Sequence, residues 1–158
     1  MRQVAEVLRR EIGRTVLLQG EDNKQRLLKT FVENGRAVLV ATSSFWEGID
    51  VRGAALSCVI IDKLPFASPD DPQLKARVED CKLKGGDPFA ELQLPKAVIA
   101  LKQGVGRLIR DRSDHGVLVI CDPRVVNKPY GATFIKSLPA IPRTRELATL
   151  GEFFGPRE

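Results

Sequence analysis

Long apolar runs are missing from this sequence, and no stretch approaches the ~20 residues needed to span a bilayer. The N-terminus, MRQVAEVLRREIG, has amphipathic spacing but no apolar core of a signal peptide, which argues against export and for a cytoplasmic protein. Cysteine is scarce. Cys58, Cys81 and Cys121 are an odd number with no C-x-x-C pair, which speaks for reduced, buried thiols and against a disulfide frame or a zinc site. The single histidine, His115, follows Asp114 ahead of an apolar run and reads as a surface residue, not a catalytic base. There is no repeat, no low-complexity tract and no internal linker. A glycine-rich strand–turn–helix with a downstream acid is also absent, which argues against a small dinucleotide-binding enzyme. Nor is there a G-x-x-x-x-G-K-[ST] loop, so this chain has no phosphate cradle of that kind.

What remains is one domain's length of chain, 158 residues, with alternating apolar runs and amphipathic stretches. The formal net charge is +5, which favours polyanionic partners through counterion release, although mild basicity also occurs without consequence. Val4, Leu8 and Ile12 form a helical stripe. Four short runs read as buried strands: TVLLQG (15–20), AVLVAT (37–42), SCVIID (57–62) and HGVLVICD (115–122). Between them, Asp22 with Gln25 resembles a capping box opening a helix that stops at Asn34-Gly35. Asp71 then caps a helix with Pro72 as its first residue, running to about Lys84. Leu94–Arg110 is predicted as a long helix and Tyr130–Leu138 as a later one. Strands apolar on both faces, alternating with helices, predict an α/β domain with a parallel sheet covered on both sides. Such sheets usually begin with a strand, so a further strand is expected ahead of Met1.

The stretch LPKAVIALKQGVGRLIRD carries the chemistry. At about 100° per residue, Gln103, Arg107 and Arg110 share a wedge roughly 60° wide. Val98, Leu101, Val105, Leu108 and Ile109 fall on the opposite half. Gly106 lies beside the wedge and Gly104 at its edge, although helical glycine costs ~1 kcal/mol relative to alanine. Two glycines beside two arginines suggest close approach of a phosphate, which guanidinium binds in a planar fork. The alternative is a solvated basic face on an ordinary helix.

The pattern Q-x-x-G-R-x-x-R, here Gln103, Gly106, Arg107 and Arg110, resembles motif VI of superfamily-two helicases. About fifty residues upstream, SSFWEGIDVRG resembles motif V, with Gly48 and Asp50. ATSSFWEGIDVRG, VIIDKLPFASPDDP, KGGDPF and PYGATFIKSLP narrow the resemblance to the XPD/DinG branch, over nearly the whole chain. The resemblance implies a second RecA-like helicase domain over residues 1–142, with 143–158 as a C-terminal tail. It further implies an ATP-dependent DNA helicase moving 5′ to 3′ on single-stranded DNA in repair. ATP and Mg²⁺ would be shared with an N-terminal motor domain, which would also hold the 4Fe–4S cluster. Because the phosphate loop and a D-E-x-H box are absent here, the isolated chain is expected to be inactive.

By the same resemblance, Arg107 and Arg110 reach the γ-phosphate, one as the arginine finger, and Gln103 orients water or bonds the phosphate. Gly48, Asp50, Gly106 and Glu47 belong to the nucleotide side of the site. Thr42, Ser43 and Ser44 end a buried strand where open α/β sheets bind ligands, and either hold DNA phosphates or cap the strand end. Arg52 and Lys63 are candidate phosphate contacts. In the tail, Leu147, Leu150, Phe153 and Phe154 make an apolar stripe that either folds back or anchors a partner. For a repair helicase that partner would be a replisome protein, a clamp-loader component, and a non-catalytic interaction module is the competing function.

Overall fold

The computed structural model describes residues 1–46, 56–109 and 114–155. In its first half, strands β1 (Val16–Leu18) and β2 (Val38–Val40) pair in parallel, Val16 opposite Val38. The two-residue period of a strand sends Val16, Leu18, Val38 and Val40 to one face and Leu17 and Leu39 to the other. Helix α1 (Arg2–Glu11) covers the first face with Ala5 and Leu8. Helix α2 (Lys24–Asn34) covers the second with Leu27, Leu28 and Phe31, joined by Phe45. The cap of α2 is Asn23, whose side chain accepts the Arg26 N–H; Asp22 instead accepts the N–H of Asn23, so the expected cap is displaced by one residue. Gly35 ends α2 with φ +65°, a left-handed conformation that glycine adopts without strain.

In the second half β3 (Cys58–Ile61) pairs in parallel with β4 (Val117–Ile120). Val59, Ile61, Leu118 and Ile120 face helix α4 (Leu94–Val105), which buries Ala97, Leu101 and Val105. Phe134 of α6 (Gly131–Ser137) closes this core, fully buried, and the short α5 (Arg124–Asn127) precedes it. On the opposite face Ile60 is 67% exposed, so β3–β4 is not covered on both sides there as expected. The two strand pairs share no ladder among the described residues, so one continuous sheet is not observed. Apolar runs report burial of faces and not which strands lie side by side, which is why the pattern could not separate one sheet from two. The halves meet where a single tight turn, Ser43–Trp46, touches α4.

Helix α3 (Pro72–Leu83) begins as the sequence predicts, with the Asp71 carboxylate accepting from Gln73 and Leu74. The helix containing α4 starts earlier than expected, through a wide turn at Phe89–Gln93. Asp87 caps that turn by accepting from Phe89 and Ala90, and its own N–H donates to Glu91. The KGGDPF segment is therefore a helix start. A side chain at Gly86 would lie 2.7 Å from Glu91 Oε1 and 2.8 Å from Cys81 Sγ, which explains that glycine. A last helix, α7 (Ala148–Phe154), forms in the tail.

Candidate functional site

Helix α4 ends at Val105, not Arg110. Gly106 still donates to Lys102, but Arg107 donates to Gly104 and Leu108 to Val105, so the chain tightens into a turn. Gln103 is thus on the helix and exposed, whereas Arg107 sits on the turn beyond it. The helical wedge computed from a uniform rotation does not extend that far, because two glycines in four residues weaken the helix at its end. Gly104 is buried within the protein and so cannot admit a ligand. At Gly106 an added Cβ would lie 3.1 Å from the Lys102 carbonyl, so a tight internal contact accompanies its exposure.

Arg107 is half-buried, and its Nε is buried without a hydrogen-bond partner among the described residues. An orphaned guanidinium nitrogen costs free energy unless an acceptor arrives. A phosphate oxygen is the kind of acceptor that a guanidinium N–H takes. Leu108 is buried and Ile109 half-buried, as expected for the packing side. Arg110, and with it Glu47, Gly48, Asp50 and Arg52, lies outside the described residues.

The turn against α4 begins with Ser43 and Ser44, and Thr42 directly precedes it; all three are exposed. Thr42 is held by Gln19: the Gln19 Oε1 accepts from the Thr42 N–H at 2.8 Å and from its hydroxyl at 3.0 Å. Thr42 and Ser44 hydroxyls are 2.8 Å apart. Strand-end capping therefore occupies Thr42 and Ser44, leaving Ser43 as the hydroxyl of the three without such a bond among the described residues. Lys24 lies over the Phe45 ring, 5.1 Å from its centroid, adding a cation near the same strand ends.

Lys63 is exposed in the loop after β3, lining an open cleft with Asp62, Cys121, Asp122, Pro123 and Arg124 at the carboxyl ends of β3 and β4. The sequence reading missed the organising residue there. Asp122, 4% exposed, accepts from the Leu64 N–H at 2.8 Å and from the guanidinium of Arg124 at 2.6–3.0 Å. The Arg124 guanidinium, with help from the Leu64 and Arg124 N–H groups, holds the Asp122 carboxyl far below the usual carboxylate range despite burial. Arg124 also lies 5.3 Å from the Phe66 centroid. This clamp ties the Lys63 loop to the end of β4. The only signal in the sequence was D-P-R directly after an apolar strand.

The cysteines divide differently from the expectation that all are buried: Cys81 is buried, Cys58 half-buried and Cys121 exposed. Burial pushes the Cys81 thiol up, reinforced by Glu91, and burial also raises Cys58. No group of three or more His, Cys, Asp or Glu side chains among the described residues could hold a metal ion. His115 is exposed, as read from the sequence. In the tail Leu147 and Phe154 are exposed, Leu150 and Phe153 half-buried, and the two phenylalanine rings meet edge to face at 5.1 Å. No described helix is long and apolar enough to cross a membrane.

The chain is 67% identical over 153 residues to the ATP-dependent DNA helicase YoaA of Escherichia coli, covering 97% of this chain and 24% of that protein. It is 61% identical to YoaA of Haemophilus influenzae, with the same coverage. It is 43% identical over 114 residues to a Bacillus subtilis protein named 3'-5' exonuclease DinG, covering 72% of this chain and 12% of that one. The chain thus spans about a quarter of the length of the YoaA relatives. Residues 1–141 match the family described as Helicase C-terminal domain, and the chain belongs to that family, in its XPD/DinG-type superfamily-two branch.

Proposed function

We propose that residues 1–142 form the second RecA-like motor domain of an ATP-dependent DNA helicase that moves 5′ to 3′ along single-stranded DNA in repair. The observation that carries the reading is Arg107: its Nε is buried without an acceptor among the described residues, two residues past the end of α4. Arg107 and Arg110 supply guanidiniums to ATP, one as the arginine finger, and Gln103 orients the attacking water. Glu47, Gly48, Asp50 and Gly106 approach the nucleotide. ATP and Mg²⁺ are held jointly with an N-terminal motor domain, which supplies the phosphate loop, the Mg²⁺ carboxylate and the 4Fe–4S cluster. When bound, Mg²⁺ neutralises charge on the phosphates; this chain's residues address the transferring phosphoryl group from the other side of the cleft. Arg52, Lys63 and Ser43 face the DNA backbone.

Phosphate release measured with saturating single-stranded DNA tests the division of labour. The 158-residue chain alone is expected to show no turnover above background, whereas the intact protein hydrolyses ATP when single strands are added. Turnover by the chain alone that disappears in Arg110→Ala would contradict the reading.

The tail supports a second role. Leu147 is 78% exposed, and among the described residues α7 joins none of the core clusters around β1–β2 and β3–β4. Residues 143–158 dock a replisome protein, a clamp-loader component, through Leu147, Leu150, Phe153 and Phe154. Deleting Gly151–Glu158 is expected to abolish a pull-down with that component and leave the melting temperature unchanged; a large drop in melting temperature would mean that the stripe serves the domain itself.

A further inference from the structure

Gln19 directly follows β1, and its N–H extends the parallel ladder to the Val40 carbonyl at 2.9 Å. Its carboxamide oxygen accepts from both the N–H and the hydroxyl of Thr42. A backbone N–H can only donate, so the oxygen end of the carboxamide faces Thr42 by necessity. A threonine hydroxyl has one proton, and that of Thr42 is spent on Gln19. The 2.8 Å contact between the Thr42 and Ser44 hydroxyls is therefore donated by Ser44. Proton counting thus gives the chain a direction, from Ser44 to Thr42 to Gln19. Both hydroxyls then offer only lone pairs, and a phosphodiester, which is all acceptor, cannot use them. Ser43 is exposed, stands between the two, and keeps its proton free of this chain.

We propose that Gln19 is a positioning residue of the nucleic-acid surface, polarising the Thr42–Ser44 turn so that Ser43 alone donates a hydroxyl to a backbone phosphate of single-stranded DNA. The proposal rests on the helicase reading above and assigns within it a residue that no motif singles out. Its reach is specific: three adjacent hydroxyls, alike in exposure, become unequal.

The test is the affinity of the intact protein for a labelled oligo-dT across a salt series, for Ser43→Ala, Ser44→Ala, Gln19→Met and the double variant Gln19→Met with Ser43→Ala. Ser43→Ala is expected to weaken binding about tenfold, the loss of one charge-assisted hydrogen bond, and Ser44→Ala by less than about twofold. Gln19→Met is expected to change affinity by less than about twofold, and Ser43→Ala to cost clearly less in its presence than alone, because the Thr42 and Ser44 hydroxyls regain protons to donate. No charge is removed, so the slope of log affinity against log salt is expected to stay unchanged; a general disruption of the basic surface would lower it. Equal losses from Ser44→Ala and Ser43→Ala, or additive losses in the double variant, overturn the proposal while leaving the helicase reading intact. Failure of the unaltered protein to bind single strands overturns both.

Discussion

Arg110→Ala in the intact protein is expected to lower strand-stimulated ATP turnover by ~10³–10⁵-fold, or roughly 4–7 kcal/mol of transition-state stabilisation. The charge that develops on the transferring phosphoryl oxygens needs a preorganised cation, and water cannot substitute without reorganising. Arg110→Lys is expected to restore little of the loss, because a point charge does not reproduce a planar fork of donors. Single-strand affinity and melting temperature are expected to stay near those of the unaltered protein. Arg107 is the less discriminating probe, since it is half-buried and its removal mixes packing with chemistry. Turnover, oligonucleotide affinity and thermal melting of Arg110→Ala decide the matter together. Near-normal turnover would make the arginine pair structural.

The parts of this domain legible in its sequence are those set by local rules. Asp71-Pro72 opened a helix and Asn34-Gly35 closed one because capping and left-handed glycine are properties of a few adjacent residues. The four strands were found because short apolar runs containing β-branched residues have few other uses. The packing side of α4 was read from helical periodicity, and Leu101 and Val105 are buried, as is Leu108 on the turn that follows. Its end was misplaced because periodicity in side chains continues through a tightened turn. Only the backbone bonds, Arg107 to Gly104 and Leu108 to Val105, reveal the change.

The polar organisation was largely hidden. Asp122 joins β4 to a loop 58 residues away in sequence, and Gln19 reaches Thr42 across 23 residues. Neither separation leaves a periodic trace. Thr42, Ser43 and Ser44 read as equivalent hydroxyls on a strand end, and their inequality appears only once Gln19 is placed beside them. Gly104 and Gly106 were grouped as a pair that admits a ligand, yet one is buried and the other exposed.

Leu108→Ala is expected to destabilise this chain by ~2–5 kcal/mol, the range for opening a cavity at a buried leucine. Leu108 is 4% exposed and follows Arg107 on the same turn, so its burial helps hold that turn in place. Its counterpart is Gly116, just ahead of β4. A Cβ built there would lie 2.4 Å from Leu108 Cδ1, 2.9 Å from its Cγ and 3.1 Å from the Ser57 carbonyl. Gly116→Ala is therefore an overpacking change, expected to cost ~1–3 kcal/mol because the leucine can rotate away only in part and the Ser57 backbone is fixed by the Val117 N–H. The two sites compete for one volume, so combining Leu108→Ala with Gly116→Ala returns a methyl group to the space that the leucine vacates. The double variant is expected to lose less than the sum of the singles, by ~0.5–3 kcal/mol. Urea unfolding of the three variants and the unaltered chain measures this coupling. Strict additivity, or a loss below ~1 kcal/mol for Leu108→Ala, would show that the turn carrying Arg107 is not anchored through this contact, and that its position after α4 is set by the glycines alone.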